Sequence, residues 1–301
     1  MSIGSSGRAL DGFHVLSLAA HLPGPLAARQ LMALGADVVK VEPPEGDPFA
    51  GYHRAWYEAL IAGQRVMRLD LKDQGSRGTL DQLLADTDLL VTSSRPSSLE
   101  RLGLDWPRVH ARYPKLCYVA IVGSASPDAE RPGHDLTYQA SVGLLAPPQM
   151  PAILLADFAG AERSVSASLA LLLARERGSA AGYTEVSLAG VAAQFNEPAR
   201  RGVTMPGALF GGGLPGYGLY RARDGWVAVA ALEAHSWSAM RNAVGLATSG
   251  GATDRSPDDP QLDRDALESH FLGNTMDYWE LWAVEHELPI VAVRAAGEAL
   301  P

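Results

Sequence analysis

Short apolar strands alternate with helical segments along the first two thirds of this chain, and that alternation limits its fold more than any other feature. His14-Val-Leu-Ser-Leu18 leads through Pro23-Gly24-Pro25 into the helical stretch 26–34, and Gly35 then precedes Asp37-Val-Val-Lys-Val-Glu42 and Pro43-Pro44. Proline at a helix entry, glycine at its stop and a strand apolar on both faces describe a βαβ unit with a buried parallel sheet. The pattern continues with a strand over 66–71, a helix over 78–85, and a strand over 88–92 closed by Arg95-Pro96. A helix beginning at Leu99 and a strand over 116–122 follow. An Ala/Leu-rich helix over 161–177, stopped by Gly178, and a strand over 184–188 complete the series. The expected class is α/β, a Rossmann-like doubly wound parallel sheet.

The texture changes after residue 200. Gly211-Gly-Gly-Leu-Pro-Gly216 dominates a stretch that reads as a flexible linker, so the expected division is a large domain over 1–200, a Gly-rich linker over 201–217 and a smaller α+β domain over 218–301. In the small domain, Asp224-Gly225 before Trp226-Val-Ala-Val-Ala-Ala predicts a hairpin. Helices are expected around 236–244 and over 267–287, a polar loop over 248–263, and a closing strand over 290–293.

Composition excludes several function classes. A net charge of −9 on 301 residues argues against a nucleic-acid protein relying on bulk positive charge, so an anionic ligand must meet local cations. The single cysteine, Cys117, sits in an apolar run, predicts a buried strand thiol and leaves neither an intrachain disulfide nor a cysteine zinc cluster. The N-terminus lacks a secretory pattern and no run reaches the roughly 18 apolar residues of a membrane helix, so the expected location is cytoplasmic. Neither Gly-x-Gly-x-x-Gly after the first strand nor Gly-Lys-Ser/Thr is present, which excludes a standard dinucleotide or P-loop site.

Three groups suit chemistry on weakly acidic carbon or on a thioester. His134 and Asp135 lie in Arg131-Pro-Gly-His-Asp-Leu-Thr-Tyr138, Asp157 in Leu154-Leu-Ala-Asp-Phe-Ala-Gly160, and Glu233 ends Val227-Ala-Val-Ala-Ala-Leu-Glu233. Each ends an apolar or glycine-containing segment, where burial and neighbours tune a pKa for proton transfer. Asp157 could equally attack a thioester as a carboxylate. The alternative is that Asp135, Asp157 and Glu233 are helix caps, and a carboxylate at a helix N-terminus has its charged form favoured. Lys40, Arg65, Arg68 and Arg95 lie at or near expected strand ends, where they either hold an anionic head group or are solvated surface charges.

The ordered set Gly24-Pro25, Leu34-Gly-Ala-Asp-Val-Val-Lys-Val-Glu42, Leu69-Asp-Leu-Lys72, Arg95-Pro96, Leu99-Glu-Arg-Leu-Gly-Leu104, Gly133-His-Asp-Leu-Thr-Tyr138 and Ala156-Asp-Phe158 resembles the family III CoA-transferase superfamily over roughly residues 9–298. Gly133-His134-Asp135 and Ala231-Leu-Glu233 followed by Trp237 resemble its α-methylacyl-CoA racemase branch. The resemblance implies a CoA-binding large domain, an acyl-CoA substrate, no metal, no cofactor beyond CoA, and a homodimer that interlocks. In the racemases the matching histidine and aspartate are the acid/base pair and the matching glutamate supports the histidine, which assigns those roles to His134, Asp157 and Glu233. In the transferases the residue matching Asp157 is the nucleophile. Asp135 is expected at the cofactor, and Lys40, Arg65 and Arg95 at the nucleotide phosphates.

The leading expectation is therefore a racemase acting at the α-carbon of a 2-methylacyl-CoA. The alternative is a transferase moving CoA between an acyl-CoA and a carboxylic acid. Departures from the family pattern at Gly123-Ser-Ala-Ser-Pro127, Ser97 and Ala156, together with a chain that ends where the family's polypeptide returns to the large domain, motivate a third expectation, a non-catalytic CoA-binding subunit or paralogue.

Overall fold

The structure is a computed structural model that describes residues 7–246, 260–295 and 297. The chain forms two compact units, Met1–Asn196 and Glu197–Pro301. The first is built on six parallel strands, β1 His14–Ser17, β2 Asp37–Glu42, β3 Arg65–Arg68, β4 Leu89–Thr92, β5 Cys117–Val122 and β6 Tyr183–Ser187, in the order β3-β2-β1-β4-β5-β6. This is the doubly wound order, with the direction of winding reversing between β1 and β4. Because side chains alternate across a strand, each sheet face has its own core. Val15, Val91, Val119 and Ile121 pack with the helices Pro23–Ala33 and Leu155–Glu176; Leu16, Leu90, Tyr118 and Ala120 pack with residues of Gln74–Ala85 and Trp106–Arg112. The Cys117 thiol is fully buried in β5, as its apolar neighbours predict, and burial pushes its pKa up.

Several elements differ from expectation. The helices Phe49–Tyr52 and Arg54–Ile61 occupy a stretch for which no element was expected; His53 begins the second by accepting the Trp56 N–H on Nδ1 at 3.2 Å. The long helix starts at Leu155 rather than Ala161, which puts Asp157 in its first turn.

The second unit has an antiparallel sheet, β7 Tyr217–Arg221, β8 Trp226–Ala230 and β9 Ile290–Ala292, in the order β7-β8-β9. Asp224-Gly225 closes the β7–β8 hairpin, and Tyr220, Val227, Met240, Phe271 and Trp279 share its core. Gly273-Asn-Thr275 divides the expected helix over 267–287 into Pro260–Phe271 and Met276–Glu285, with the Thr275 hydroxyl accepting from Tyr278 N–H. Of the expected polar loop, 248–259 lie outside the described residues and Pro260 onward is helical. The glycine run is a hydrogen-bonded turn rather than a free tether. Gly213 N–H donates to the Ala208 carbonyl, and a Cβ on Gly211 would stand 1.8 Å from the Met205 carbonyl oxygen.

Candidate active site

In an open parallel sheet the loops leaving the carboxyl ends of two strands part where the winding reverses, and a crevice forms between them. Here a cavity of about 290 Å³ opens at that place, walled by the loops after β1 and β4, the end of β5 and the segment from Arg131 to His134. Tyr138 and Asp157 complete it. Glycine is needed on two sides of Tyr138: a Cβ on Gly123 would lie 2.2 Å from its hydroxyl oxygen, and one on Gly133 2.5 Å from its ring. The glycine of the Pro-Gly-His-Asp motif thus lets the chain cross the tyrosine face and deliver His134 to the cavity.

Asp157 projects from the first turn of Leu155–Glu176 and is partly buried. Its pKa is pushed up to about 7, by burial first and then by the Asp135 charge. The helix terminus favours the charged form by only about 0.3–1 kcal/mol, too little to offset the burial, so the expectation of a favoured carboxylate is reversed.

His134 occupies the N-cap position of the helix Asp135–Ser141, its own N–H donating to Thr137 Oγ1 at 3.0 Å, and its exposed ring lines the cavity. Facing it is His21, a residue the sequence did not single out, in the loop after β1. The two rings meet edge to face with centroids 5.7 Å apart. Desolvation lowers the His21 pKa, and the charges of His134 and Lys40 lower it further against Asp47. Arg95, at the N-cap of the helix Pro96–Leu102, also lines the cavity and is exposed.

Other expected site residues have different surroundings. Asp135 is buried; its Oδ2 accepts from Gln139 Nε2 at 2.6 Å and its Oδ1 from the Asp157 N–H at 3.1 Å. It is therefore a cap for the neighbouring helix, holding Asp157 by its peptide group, rather than a group presented to a cofactor. Lys40 is 1% exposed, and its Nζ donates to Asp47 Oδ2 and to the Ala19 carbonyl, each at 2.8 Å. Arg65 is exposed at the amino end of β3, away from the carboxyl ends where the cavity lies. Neither lines the cavity. Glu233 is in the second unit, exposed, at the N-cap of Ala234–Ala243 with no side-chain cap bond. Among the described residues no helix is long and apolar enough to cross a membrane, and no three His, Cys, Asp or Glu side chains group to hold a metal ion.

Several known proteins are similar to this chain. The chain is 27% identical over 285 residues to the protein named "Probable fatty acyl-CoA transferase Rv3272" of Mycobacterium tuberculosis, a match covering 81% of this chain and 71% of the relative. It is 30% identical over 187 residues to the succinyl-CoA–D-citramalate CoA-transferase of Chloroflexus aurantiacus, covering 56% of this chain and 46% of that one. The chain thus spans about half the length or less of several curated relatives it matches. A crystal structure of the Mycobacterium tuberculosis protein superposes with a TM-score of 0.85 at 24% identity, covering 97% of this chain and 87% of the other. That of a CAIB/BAIF family protein from Brucella suis gives 0.76 at 22%, covering 96% and 85%. These two likenesses are of fold. The model of CoA-transferase family III matches residues 10–301, and the chain belongs to that family.

Proposed function

We propose that the protein acts on acyl-CoA thioesters and that its reaction is proton exchange at the α-carbon of a 2-methylacyl-CoA, that is, racemisation. The observation that carries this reading is a carboxyl group with a pKa near 7, Asp157, on the same cavity wall system as the His134 imidazole. A group that must both take and return a proton works best with its pKa near the operating pH. One of the two removes the α-proton, giving an enolate, and the other delivers a proton to the opposite face. Glu233 is proposed to support the His134 imidazole, and Arg95 to meet the CoA phosphates.

A second reading is favoured by the names of the relatives, which are CoA-transferases. There Asp157 in its carboxylate form attacks the thioester carbonyl, expelling the CoA thiolate and leaving an acyl-aspartyl anhydride. The CoA thiolate attacks the aspartyl carbonyl of that anhydride, releasing the donor acid and leaving an aspartyl-CoA thioester. The acceptor carboxylate then displaces the thiolate to form a second anhydride, and the thiolate attacks its acyl carbonyl to give the new acyl-CoA and free Asp157. A raised pKa suits this less well, since the protonated acid does not attack.

One experiment separates the two. In deuterated water, the racemase reading expects deuterium at the α-carbon of 2-methylacyl-CoA without any acid acceptor, and a loss of about two to four orders of magnitude in His134→Ala. No incorporation would rule it out. The transferase reading expects a strict need for a carboxylate acceptor, borohydride inactivation only after acyl-CoA is added, and retained turnover in His134→Ala but not in Asp157→Ala.

A further inference from the structure

The loop after β1 holds one residue to which neither reaction above gives a role. His21 stands at φ 63°, in the left-handed region that residues other than glycine seldom occupy. Polar contacts hold both peptide groups between Ala19 and His21. Lys40 Nζ donates to the Ala19 carbonyl at 2.8 Å and to Asp47 Oδ2 at 2.8 Å. Ala20 N–H donates to Ser93 Oγ at 2.8 Å, and Ser93 Oγ donates to the Ala20 carbonyl at 3.1 Å. His21 N–H donates to Asp47 Oδ1 at 3.1 Å. Lys40 and Asp47 are only 1% and 4% exposed. Desolvating an ion pair is unfavourable unless the pair is well satisfied, and this one is satisfied by the loop it fixes. Strained backbone held by its surroundings is common where a side chain must point in one direction, and here the ring points into the cavity, edge-on to His134.

We propose that His21 is a positioning residue for His134: its ring, aimed by the buried Lys40–Asp47 clamp, holds the His134 imidazole in the orientation that reaches a bound acyl-CoA thioester. This rests on the reading of the cavity as the reaction site. The charged and titratable groups facing His21 are Asp47 and Lys40 of its clamp, His134 edge to face with it, and Arg95, Arg131, Tyr138 and Asp157 on the other walls.

The test uses the whole protein and its His21→Gly and His21→Asn variants, because both residues tolerate left-handed backbone. The melting temperature should stay the same or rise, and KM for acyl-CoA should change by less than about threefold. Meanwhile kcat should fall by at least about tenfold with a displaced pH–rate profile, the behaviour of a disturbed acid/base group. A readout without turnover accompanies it: in histidine-labelled NMR, the His21 midpoint should rise in His134→Ala, since one charge that lowers it is gone. Wild-type kcat and pH profile in both His21 variants would overturn the proposal, as would a His21 midpoint unmoved in His134→Ala. Full activity in Asp157→Ala would instead sink the reading of the cavity as the reaction site, a result the NMR measurement on the two histidines does not depend on.

Discussion

Asp157 is pulled two ways, by a helix N-terminus that favours its charge and by burial beside Asp135 that opposes it, and the second wins, holding the pKa up at about 7. The consequence for stability has a definite sign. Between pH 4 and pH 7 the folded protein keeps a proton that the unfolded chain has released, so stability from this group falls as pH rises through that window. Asp157→Asn, which mimics the protonated acid, should therefore raise stability at pH 8 by about 2–4 kcal/mol and leave it nearly unchanged at pH 4. Urea denaturation at the two pH values checks this; parallel shifts at both would contradict the assigned burial cost. At this scale the sequence was partly legible. His134 and Asp157 stand alone among apolar or glycine neighbours, so their types and places suggested chemistry. His21 gave no such signal, because what aims it is Asp47, 26 residues on, and a loop tied to Ser93, 73 residues on from Ala20. Asp135 likewise reads as a cap for its own helix and in the folded protein caps another.

Elements were legible where their ends carry ordinary chemistry. The unit from His14 to Glu42 was readable because Pro23 and Pro25 begin its helix and Gly35, at φ 117°, follows its end. The helix Arg54–Ile61 was not, because histidine, rather than Ser, Thr, Asp or Asn, accepts the Trp56 N–H of its first turn. The break at Gly273–Thr275 carried a glycine and a threonine cap but was hidden by apolar and aromatic periodicity on both sides. The start of the long helix is not marked in the sequence, because Ile153, Leu154 and Leu155 carry no cap; the partner of its first turn comes from Asp135. The helix Pro23–Ala33 offers a test at this scale. A Cβ on Gly24 would lie 2.5 Å from Ala19 Cβ and 2.9 Å from its backbone carbon, so helix and loop can pack only with glycine there. Gly24→Ala should destabilise the protein by about 1–3 kcal/mol, as overpacking does, and should slow the reaction through the displaced His21 loop. A variant as stable as the parent in thermal unfolding would show that the loop moves freely.

Across the whole molecule the charge balance opposes its proposed ligand. A protein at −9 repels CoA at long range, and local cations must outweigh that field at the cavity. Strand-end position suggested four such cations from the sequence, but it could not reveal burial. The fold sorts Arg95 onto the cavity wall, Arg65 to the opposite end of its strand, Arg68 to a 3.9 Å contact with Glu42, and Lys40 into the interior. Lys40 and Arg95 should consequently fail in different ways. Lys40→Ala leaves Asp47 buried without its partner and should cost about 3–5 kcal/mol of stability, whereas Arg95→Ala should leave the melting temperature within a degree or so and weaken CoA by about 1.5–3 kcal/mol, the worth of a charge-assisted contact. Calorimetric titration of CoA at low and high salt measures the second effect. Because Arg95 is exposed, its contribution should shrink as salt screens it. If Arg95→Ala binds CoA as tightly as the parent protein at low salt, the nucleotide phosphates are held by other residues.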